Sequence, residues 1–336
     1  MANAPASRTD GARQALPVHA AVLYSPEEHV LSACRVRILC AVTTGLLAGV
    51  ARAELPTKQS NVGDSMSQGA LADGWPADRP ELSWVQGTSS SVYSIFMRYQ
   101  ELVPSFTQQP ESVSGAEMVG GSNNFAVQAS RVCAQEEKPQ HVPVLLGSND
   151  VCNRSRSSSS DAAANLYSLD TWVNALRAGL DQLAACLPPG ATVHVLSVPR
   201  VDFLYAAGTA KSPHCPYIIW PAVGICRIVT AEKSGARRAQ IGARINEYNA
   251  AIRAEVELYE ANADGRNPRG VHFVADWQGS IEEGFQNTSV GTYVFRASDI
   301  NGTDCFHASV PAQRKLACAV WATNPNGAGS VGECFE

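Results

Sequence analysis

The sequence has no apolar run long enough to cross a membrane. Its longest such run, residues 38–50, has 13 residues, whereas a transmembrane helix needs about 20. It also has no internal repeat, and a content of 45% hydrophobic and 17% charged residues argues against disorder throughout the chain, collagen and a coiled coil. The 336 residues suffice for one large globular domain or two small ones. We therefore expect no stable membrane insertion.

Positive charge is scarce. The chain has 26 Lys and Arg residues against 31 Asp and Glu residues, a formal net charge of −5, and only five of the basic residues are lysines. A protein that binds the phosphate backbone of a nucleic acid needs a basic face. We therefore expect no nucleic-acid partner.

Motifs of several enzyme classes are missing. There is no Gly-x-Ser-x-Gly and no Ser-x-x-Lys sequence, which argues against an α/β-hydrolase elbow and against a Ser-Lys enzyme. The glycines at 115 and 120 are not followed by Lys and Ser or Thr, so they do not form a phosphate-binding loop. No Cys-x-x-Cys and no His-x-x-x-His pair occurs, which argues against a metal site. We expect neither a metal nor an organic cofactor.

The first 53 residues have the features of an export signal. Two arginines precede the apolar run 38–50, and an Ala-Arg-Ala sequence ending at Ala53 follows it. These features are typical of a secretory signal peptide. We interpret residues 1–53 as an N-terminal extension and signal peptide, cleaved after Ala53, and residues 54–336 as the mature domain. The mature protein is expected to be secreted or periplasmic, and a monomer.

Cysteine, in contrast, is plentiful. Eight of the ten cysteines follow residue 53, and an even number in an exported chain favours disulfides over metal ligands. Local pairings such as Cys215–Cys226 and Cys318–Cys334 fit the spacing, but the sequence leaves the connectivity open.

Short apolar runs alternate with longer segments of helical periodicity. Three of the runs are typical of buried strands: His141–Leu146, Val193–Val198 and Val271–Val274. Apolar residues recur three and four apart within 172–183 and within 241–259, and Ser168 and Ser309 are suited to cap helices. The alternation predicts one α/β domain, a three-layer α/β/α sandwich with a mainly parallel sheet. Ligands of such sheets bind at the carboxyl ends of the strands.

The loops after the predicted strands carry side chains that suit acyl transfer. The hydroxyl of Ser65 is a weak nucleophile until a base takes its proton, and His307 is the type of residue that does so at neutral pH. Asp304, three residues earlier, can reach the imidazole and fix its tautomer, with Asp299 as a nearby alternative. The amide of Asn149 and backbone N–H groups at Ser65 and near Ala129 can stabilise charge on a substrate oxygen.

These residues lie in motifs that resemble those of the SGNH hydrolases, also called GDSL-type lipases and esterases. Three blocks match in order: Gly63-Asp64-Ser65, Gly147-x-Asn149-Asp150 and Asp304-x-x-His307. The resemblance extends from residue 63 to residue 321 and implies a flavodoxin-like fold. It implies that Ser65 is the nucleophile, His307 the base and Asp304 its orienting acid. The Ser65 N–H and Asn149 would be oxyanion donors.

One oxyanion donor departs from the family pattern. The family has glycine in an Asn-x-Ala-x-x-Gly-like run, whereas this chain has Ala129 at that position. Alanine keeps the N–H but lacks the room and the positive φ that glycine offers. We therefore predict Ala129 as the middle oxyanion donor, with Gly121 as the alternative.

The resemblance implies a serine esterase or lipase that hydrolyses carboxylic esters through an acyl-enzyme. Its substrate would be a small-molecule, lipid or glycan ester. An acyltransferase or a carbohydrate deacetylase would use the same site, and a non-catalytic, disulfide-rich binding module is an alternative of a different class. The sequence alone does not separate them.

Overall fold

The computed structural model describes residues 54–276, 296–329 and 332–335. The predicted signal peptide and its cleavage site lie outside these residues. The described strands are β1 (Lys58–Gln59), β2 (Val62–Gly63), β3 (Thr107–Gln108), β4 (His141–Leu145), β5 (Thr192–Leu196) and β6 (His272–Asp276). The helices are α1 (Ile95–Leu102), α2 (Phe125–Ala134), α3 (Ser148–Cys152), α4 (Leu169–Cys186), α5 (Leu204–Lys211), α6 (Trp220–Val223), α7 (Arg227–Thr230), α8 (Gly235–Ala261) and α9 (Val310–Thr323). Single 3-10 or π turns cover Pro80–Leu82, Val201–Phe203, Cys215–Ile219, Ala297–Asp299 and Gly332–Phe335.

The described strands form one parallel sheet in the order β3-β1-β4-β5-β6, with β2 also paired to β4. Since Gln59 lies opposite His141 and Val62 lies opposite Val144, β1 and β2 are two parts of one strand position. When β1 and β2 are counted as one strand and the strands are renumbered along the chain, their order across the sheet is 2-1-3-4-5. This is the order of flavodoxin-like doubly wound sheets. The order reverses between β2 and β4. The loops after these two strands therefore border the crevice where such sheets bind ligands.

Alternate side chains along the strands pack against two different helical layers. Val142 and Val193 belong to a core formed with α2, α4 and α8, whereas Leu145 and Leu196 pack on the other face with α1 and α9. This is the two-residue period of strands buried on both faces. Each such side chain stabilises the fold by about 1.5–3 kcal/mol. The predicted three-layer α/β/α sandwich is confirmed.

Serine side chains cap the helices at the predicted positions. Ser168 accepts a hydrogen bond from the Thr171 N–H at 3.2 Å, and Ser309 accepts one from the Ala312 N–H at 3.4 Å. Such a cap satisfies an N–H group that has no partner within the helix and stabilises it by about 1 kcal/mol. The helix predicted around 241–259 is α8.

The eight cysteines of the described residues form four disulfides: Cys133–Cys186, Cys152–Cys226, Cys215–Cys305 and Cys318–Cys334. The predicted pairing of Cys318 with Cys334 is confirmed. The predicted pairing of Cys215 with Cys226 is wrong. Cys215 begins the π turn, and α6 separates this turn from Cys226; Cys215 pairs instead with Cys305, and Cys226 with Cys152.

Two features of the structure bear on the cellular compartment in which the protein resides. Four disulfides are typical of a protein that resides in an oxidising environment. Within the part of the chain that the structure describes, no helix has the length and apolar character of a membrane span.

Candidate active site

Ser65 lies at the crevice, two residues after β2 ends. The carbonyl of Asp64 accepts the Ser67 N–H at 3.1 Å, which turns the chain at Ser65. Gly63 is required by close packing, because a Cβ there would lie 2.2 Å from the Ser67 hydroxyl oxygen. Ser65 itself is 9% exposed, and its N–H has no hydrogen-bond partner among the described residues.

His307 approaches Ser65 from a loop 242 residues further along the chain. Its Nε2 lies 3.0 Å from the Ser65 Oγ, and its Nδ1 lies 2.5 Å from Oδ2 of Asp304. The structure thus brings the predicted serine, histidine and aspartate into one hydrogen-bonded chain.

The carboxylate of Asp304 fixes the tautomer of His307. Its Oδ1 accepts hydrogen bonds from the amide of Asn301 at 2.8 Å and from the N–H groups of Phe306 at 2.9 Å and His307 at 3.1 Å. Burial opposes ionisation, but the hydrogen bond and charge of His307, with the backbone N–H groups, hold the pKa of Asp304 below its usual value. An ionised carboxylate can only accept. Nδ1 of His307 therefore carries the hydrogen, and Nε2 is free to accept the serine proton.

A disulfide and hydrogen bonds fix the loop from Asn301 to His307. Cys305 is buried, and its disulfide to Cys215 ties the loop to the π turn before α6. The Trp220 Nε1 also donates to the Cys305 carbonyl at 3.3 Å. Cys305 has φ of 56°, a conformation that costs a non-glycine residue about 1–3 kcal/mol and that only surrounding contacts maintain. The Asn301 N–H closes the loop by donating to the His307 carbonyl at 2.9 Å.

Ser65 and His307 open onto a cleft of about 540 Å³, here termed the wide cleft. Its lining includes many polar or charged residues, among them Asp78, Ser114, Asn149, Asn153, Arg154, Ser155 and Arg227. This size is that of a site for a small molecule or for part of a larger one.

Asn149 and Asp150 follow β4 in the first turn of α3. The Asn149 Nδ2 donates to the Ala116 carbonyl at 2.9 Å and has a second hydrogen available. The Asp150 carboxylate accepts the N–H groups of Met118 at 2.6 Å and Val119 at 2.9 Å. Burial of this carboxyl raises its pKa to about 7, although those N–H groups oppose the rise. Asn149 thus borders the wide cleft, whereas Asp150 fixes the neighbouring segment.

Ala129 does not lie at the site. The run predicted to supply the middle oxyanion donor is helix α2, and its cap residue Asn124 accepts the Val127 N–H at 3.1 Å. Ala129 is fully buried in the core, and an N–H in a helix interior is bound to the preceding turn. Gly121 is exposed in the turn before α2 and does not line the wide cleft. Both assignments are therefore corrected.

Gly115, to which no sequence motif pointed, also lies at the site. It lines the wide cleft together with Ser65 and Asn149. Its N–H has no hydrogen-bond partner within the described residues. Its φ is +83° and no atom lies within 4 Å of the position a Cβ would take, so the backbone there is open and has a conformation that favours glycine. The N–H groups of Ser65 and Gly115 and the Asn149 amide are three donors around one cleft.

A buried carboxyl group adjoins Ser65 in sequence. Asp64 is fully buried, and its Oδ1 accepts the Met66 N–H at 2.9 Å. Burial raises the pKa of Asp64 to about 6, while this N–H and the charge of His307 oppose the rise. Protonation of this carboxyl group therefore couples the stability of the turn at Ser65 to pH.

A second cavity, here termed the narrow cavity, also begins at Ser65. Its volume is about 30 Å³. Most of its lining is apolar: Met66, Pro199, Val201, Leu204, Phe306, Ala308, Ala312 and Leu316. Asp299 also lines it, and an ion pair at 2.7 Å to Lys315 neutralises this carboxylate. Ser65 and Asn149 border both cavities, whereas His307 and Gly115 border only the wide cleft.

Over residues 54–276, 296–329 and 332–335, no group of three or more His, Cys, Asp and Glu side chains is placed to hold a metal ion. The absence of a cofactor remains a prediction.

Fold and geometry place the chain among α/β enzymes with a hydrogen-bonded serine, histidine and aspartate at the crevice of a parallel sheet. Residues 60–320 match the model of the GDSL-like Lipase/Acylhydrolase family. The match covers most of the sequence, and the chain belongs to this family. Membership makes the protein a hydrolase of the lipase and acylhydrolase type.

Comparison with solved structures finds distant likenesses. A candidate platelet activating factor from Streptococcus pneumonia is 13% identical, with 81% of this chain and 85% of that chain covered and a TM-score of 0.37. A candidate GDSL-like lipase from Parabacteroides merdae ATCC 43184 is 14% identical, with 79% and 94% covered and a TM-score of 0.31. No curated protein matches the sequence. At these scores the structural likenesses carry no argument, and the family assignment rests on the family model.

Proposed function

We propose that the protein is an esterase that hydrolyses carboxylic esters through an acyl-enzyme on Ser65. The observation that carries this proposal is the hydrogen-bonded chain from the Ser65 Oγ through His307 to Asp304, with distances of 3.0 and 2.5 Å. In this series of hydrogen bonds the aspartate orients the histidine, and the histidine tautomer leaves Nε2 free to activate the serine hydroxyl.

In the first half-reaction the Ser65 Oγ bonds to the carbonyl carbon of the ester. His307 Nε2 takes the serine proton and gives it to the alcohol oxygen as the carbon–oxygen bond to the alcohol breaks. In the second half-reaction water attacks the acyl carbon, and His307 takes a proton from it. The proton returns to the Ser65 oxygen as the acid leaves.

The negative charge of each tetrahedral intermediate requires donors around the substrate oxygen. We assign this role to the N–H groups of Ser65 and Gly115 and to the second amide hydrogen of Asn149. All three border the wide cleft, and the two N–H groups lack partners in the described structure. Donors that are already in place cost no reorganisation during the reaction.

The substitution Ser65→Ala tests the proposal. We expect it to lower kcat for p-nitrophenyl acetate by at least about 10³-fold, because the nucleophile is lost, with no change in the circular dichroism spectrum. The matched control is Ser114→Ala, which removes another hydroxyl from the same cleft, one that donates to Asp78 at 2.6 Å. Near-native activity of Ser65→Ala would contradict the mechanism and favour a non-catalytic binding module.

We also propose that the enzyme acts outside the cytoplasm. The four disulfides support this location, because such bonds persist in oxidising compartments. Full activity of the protein purified from a reducing cytoplasm with all eight thiols free would contradict it.

A further inference from the structure

Two cavities of very different size meet at Ser65. The wide cleft measures about 540 Å³ and has walls of mixed polarity, whereas the narrow cavity measures about 30 Å³ and has mostly apolar walls. An ester bound at Ser65 has two parts to place, the alcohol and the acyl chain. The position of His307 decides which part enters which cavity.

The alcohol lies on the His307 side. In the proposed reaction His307 must give a proton to the alcohol oxygen as it leaves, so that oxygen has to lie within hydrogen-bond reach of Nε2. His307 borders the wide cleft and does not border the narrow cavity. The remaining substituent of the tetrahedral carbon, the acyl chain, is then directed into the narrow cavity, which Ser65 and Asn149 also border.

We propose that the narrow cavity is the acyl site and that its walls restrict the acyl group to acetyl or propionyl. This inference rests on the proposed esterase function and adds the substrate class to it. Val201, Leu204, Ala312 and Leu316 are the specificity-determining residues.

The size of the cavity sets the limit on chain length. The narrow cavity has a volume of only about 30 Å³, little more than the space of about 10–15 Å³ that holds a single water, so only a short acyl chain fits beyond the carbonyl carbon. A longer chain would have to displace Leu204 or Leu316, which are 3% and 1% exposed and belong to the packed core. Close-packed interiors do not yield easily. A misfit of one methylene in an enzyme pocket changes kcat/KM by about 10- to 200-fold.

The polarity of the walls supports the same assignment. A long alkyl chain would contact the carboxylate of Asp299, which is fully buried and forms an ion pair with Lys315, and contact of an alkyl chain with a buried charge is unfavourable. A two- or three-carbon acyl group avoids this cost.

The test is the chain-length profile of the purified enzyme with p-nitrophenyl acetate, propionate, butyrate and hexanoate. We expect kcat/KM for propionate within about tenfold of that for acetate, and a value for hexanoate at least about 100-fold lower. A hexanoate value equal to or above that for acetate would overturn the inference.

Two variants separate the narrow cavity from the wide cleft. Leu204→Ala enlarges the narrow cavity and should raise the hexanoate-to-acetate ratio of kcat/KM by about tenfold or more. The control Ile225→Ala removes an aliphatic side chain from the wide cleft alone and should leave that ratio unchanged within twofold. A change of the ratio in Ile225→Ala but not in Leu204→Ala would assign the acyl chain to the wide cleft. If Leu204→Ala does not fold, Val201→Ala replaces it.

Failure of the inference differs from failure of the proposed function. Labelling of Ser65 by a fluorophosphonate, together with equal rates for all four esters, refutes the size limit and leaves the esterase proposal intact. Absence of both labelling and hydrolysis refutes the proposed function and, with it, the inference.

Discussion

Removal of the Asn149 side chain tests the oxyanion site. In Asn149→Ala the carbonyl oxygen of the intermediate loses one of the three donors that we propose, and loss of such a donor costs about 10²- to 10³-fold in kcat in comparable sites. We expect KM to change by less than about threefold, because the donor acts mainly on charge that develops in the transition state. The assay is steady-state hydrolysis of p-nitrophenyl acetate.

The same substitution also has a structural cost, which must be separated from the catalytic one. Asn149 donates to the Ala116 carbonyl at 2.9 Å, and loss of such a bond lowers the free energy of unfolding by about 1 kcal/mol. Asn153→Ala is the matched control. Asn153 lines the same cleft and donates to the Glu117 carboxylate at 2.7 Å, so it holds the same segment without a proposed role in catalysis.

We expect both variants to unfold at slightly lower urea concentration than the parent protein. Only Asn149→Ala should lose more than about tenfold in kcat. A loss below about fivefold in Asn149→Ala would refute the role of its amide as an oxyanion donor. An equal loss in Asn153→Ala would show that the position of the segment 116–119, and not the amide, controls the rate.

Three further substitutions test the support of the site. In Asp304→Asn we expect kcat to fall about 10⁴-fold, because an amide that donates to Nδ1 forces the wrong tautomer on the histidine; ester hydrolysis measures it. Replacement of Cys215 and Cys305 by serine opens a loop of 90 residues and should lower the free energy of unfolding by about 2–5 kcal/mol, as measured in urea. The third is Asp64→Asn. Burial raises the pKa of Asp64 from 3.8 to about 6, so the folded protein holds a proton that the unfolded chain releases. This carboxyl should therefore destabilise the fold by up to about 3 kcal/mol as pH rises from about 4 to 6, and Asp64→Asn should remove that part of the slope.

Each of these expectations has a contradictory result. Asp304→Asn with more than a tenth of the parent kcat would show that the histidine does not need the carboxylate. A double serine variant with unchanged urea midpoint would show that other contacts hold the loop. Parallel stability curves for the parent and Asp64→Asn between pH 4 and 6 would show that Asp64 ionises freely in the folded protein.

Much of the fold follows from local patterns in the sequence. The strand residues alternate between two apolar layers, so short β-branched runs such as Val193–Val198 were recognisable. Helix starts were recognisable where a serine precedes an apolar repeat, as at Ser168 and Ser309. These signals act within a few residues, and the structure confirms them.

The role that we propose for Gly115 as an oxyanion donor was not predictable in the same way. Gly115 lies in an exposed turn, and a glycine in a turn has no sequence signal that distinguishes a catalytic N–H from a plain reversal of the chain. The run around Ala129 was assigned by its likeness to a family motif. Its own pattern, Asn124 followed by Phe125, Gln128, Ala129 and Val132, has the spacing of a capped amphipathic helix, and the structure shows that helix.

Disulfides between cysteines far apart in the sequence could not be predicted either. The Cys215–Cys305 disulfide depends on how the segment between α5 and α7 folds back on the loop before α9, and no local rule fixes that path. Cys318–Cys334 closes a loop of 16 residues, so proximity along the chain was sufficient.

The most direct measurement is the covalent reaction of Ser65 with a fluorophosphonate, followed by intact-mass and peptide mass spectrometry. An activated serine attacks phosphorus, whereas an ordinary surface or turn serine does not react at neutral pH. We predict one adduct per chain, located on Ser65, with none in Ser65→Ala and much slower labelling in Asp304→Asn. A folded parent protein that does not react, or a Ser65→Ala variant that reacts as fast as the parent, would contradict the proposed mechanism.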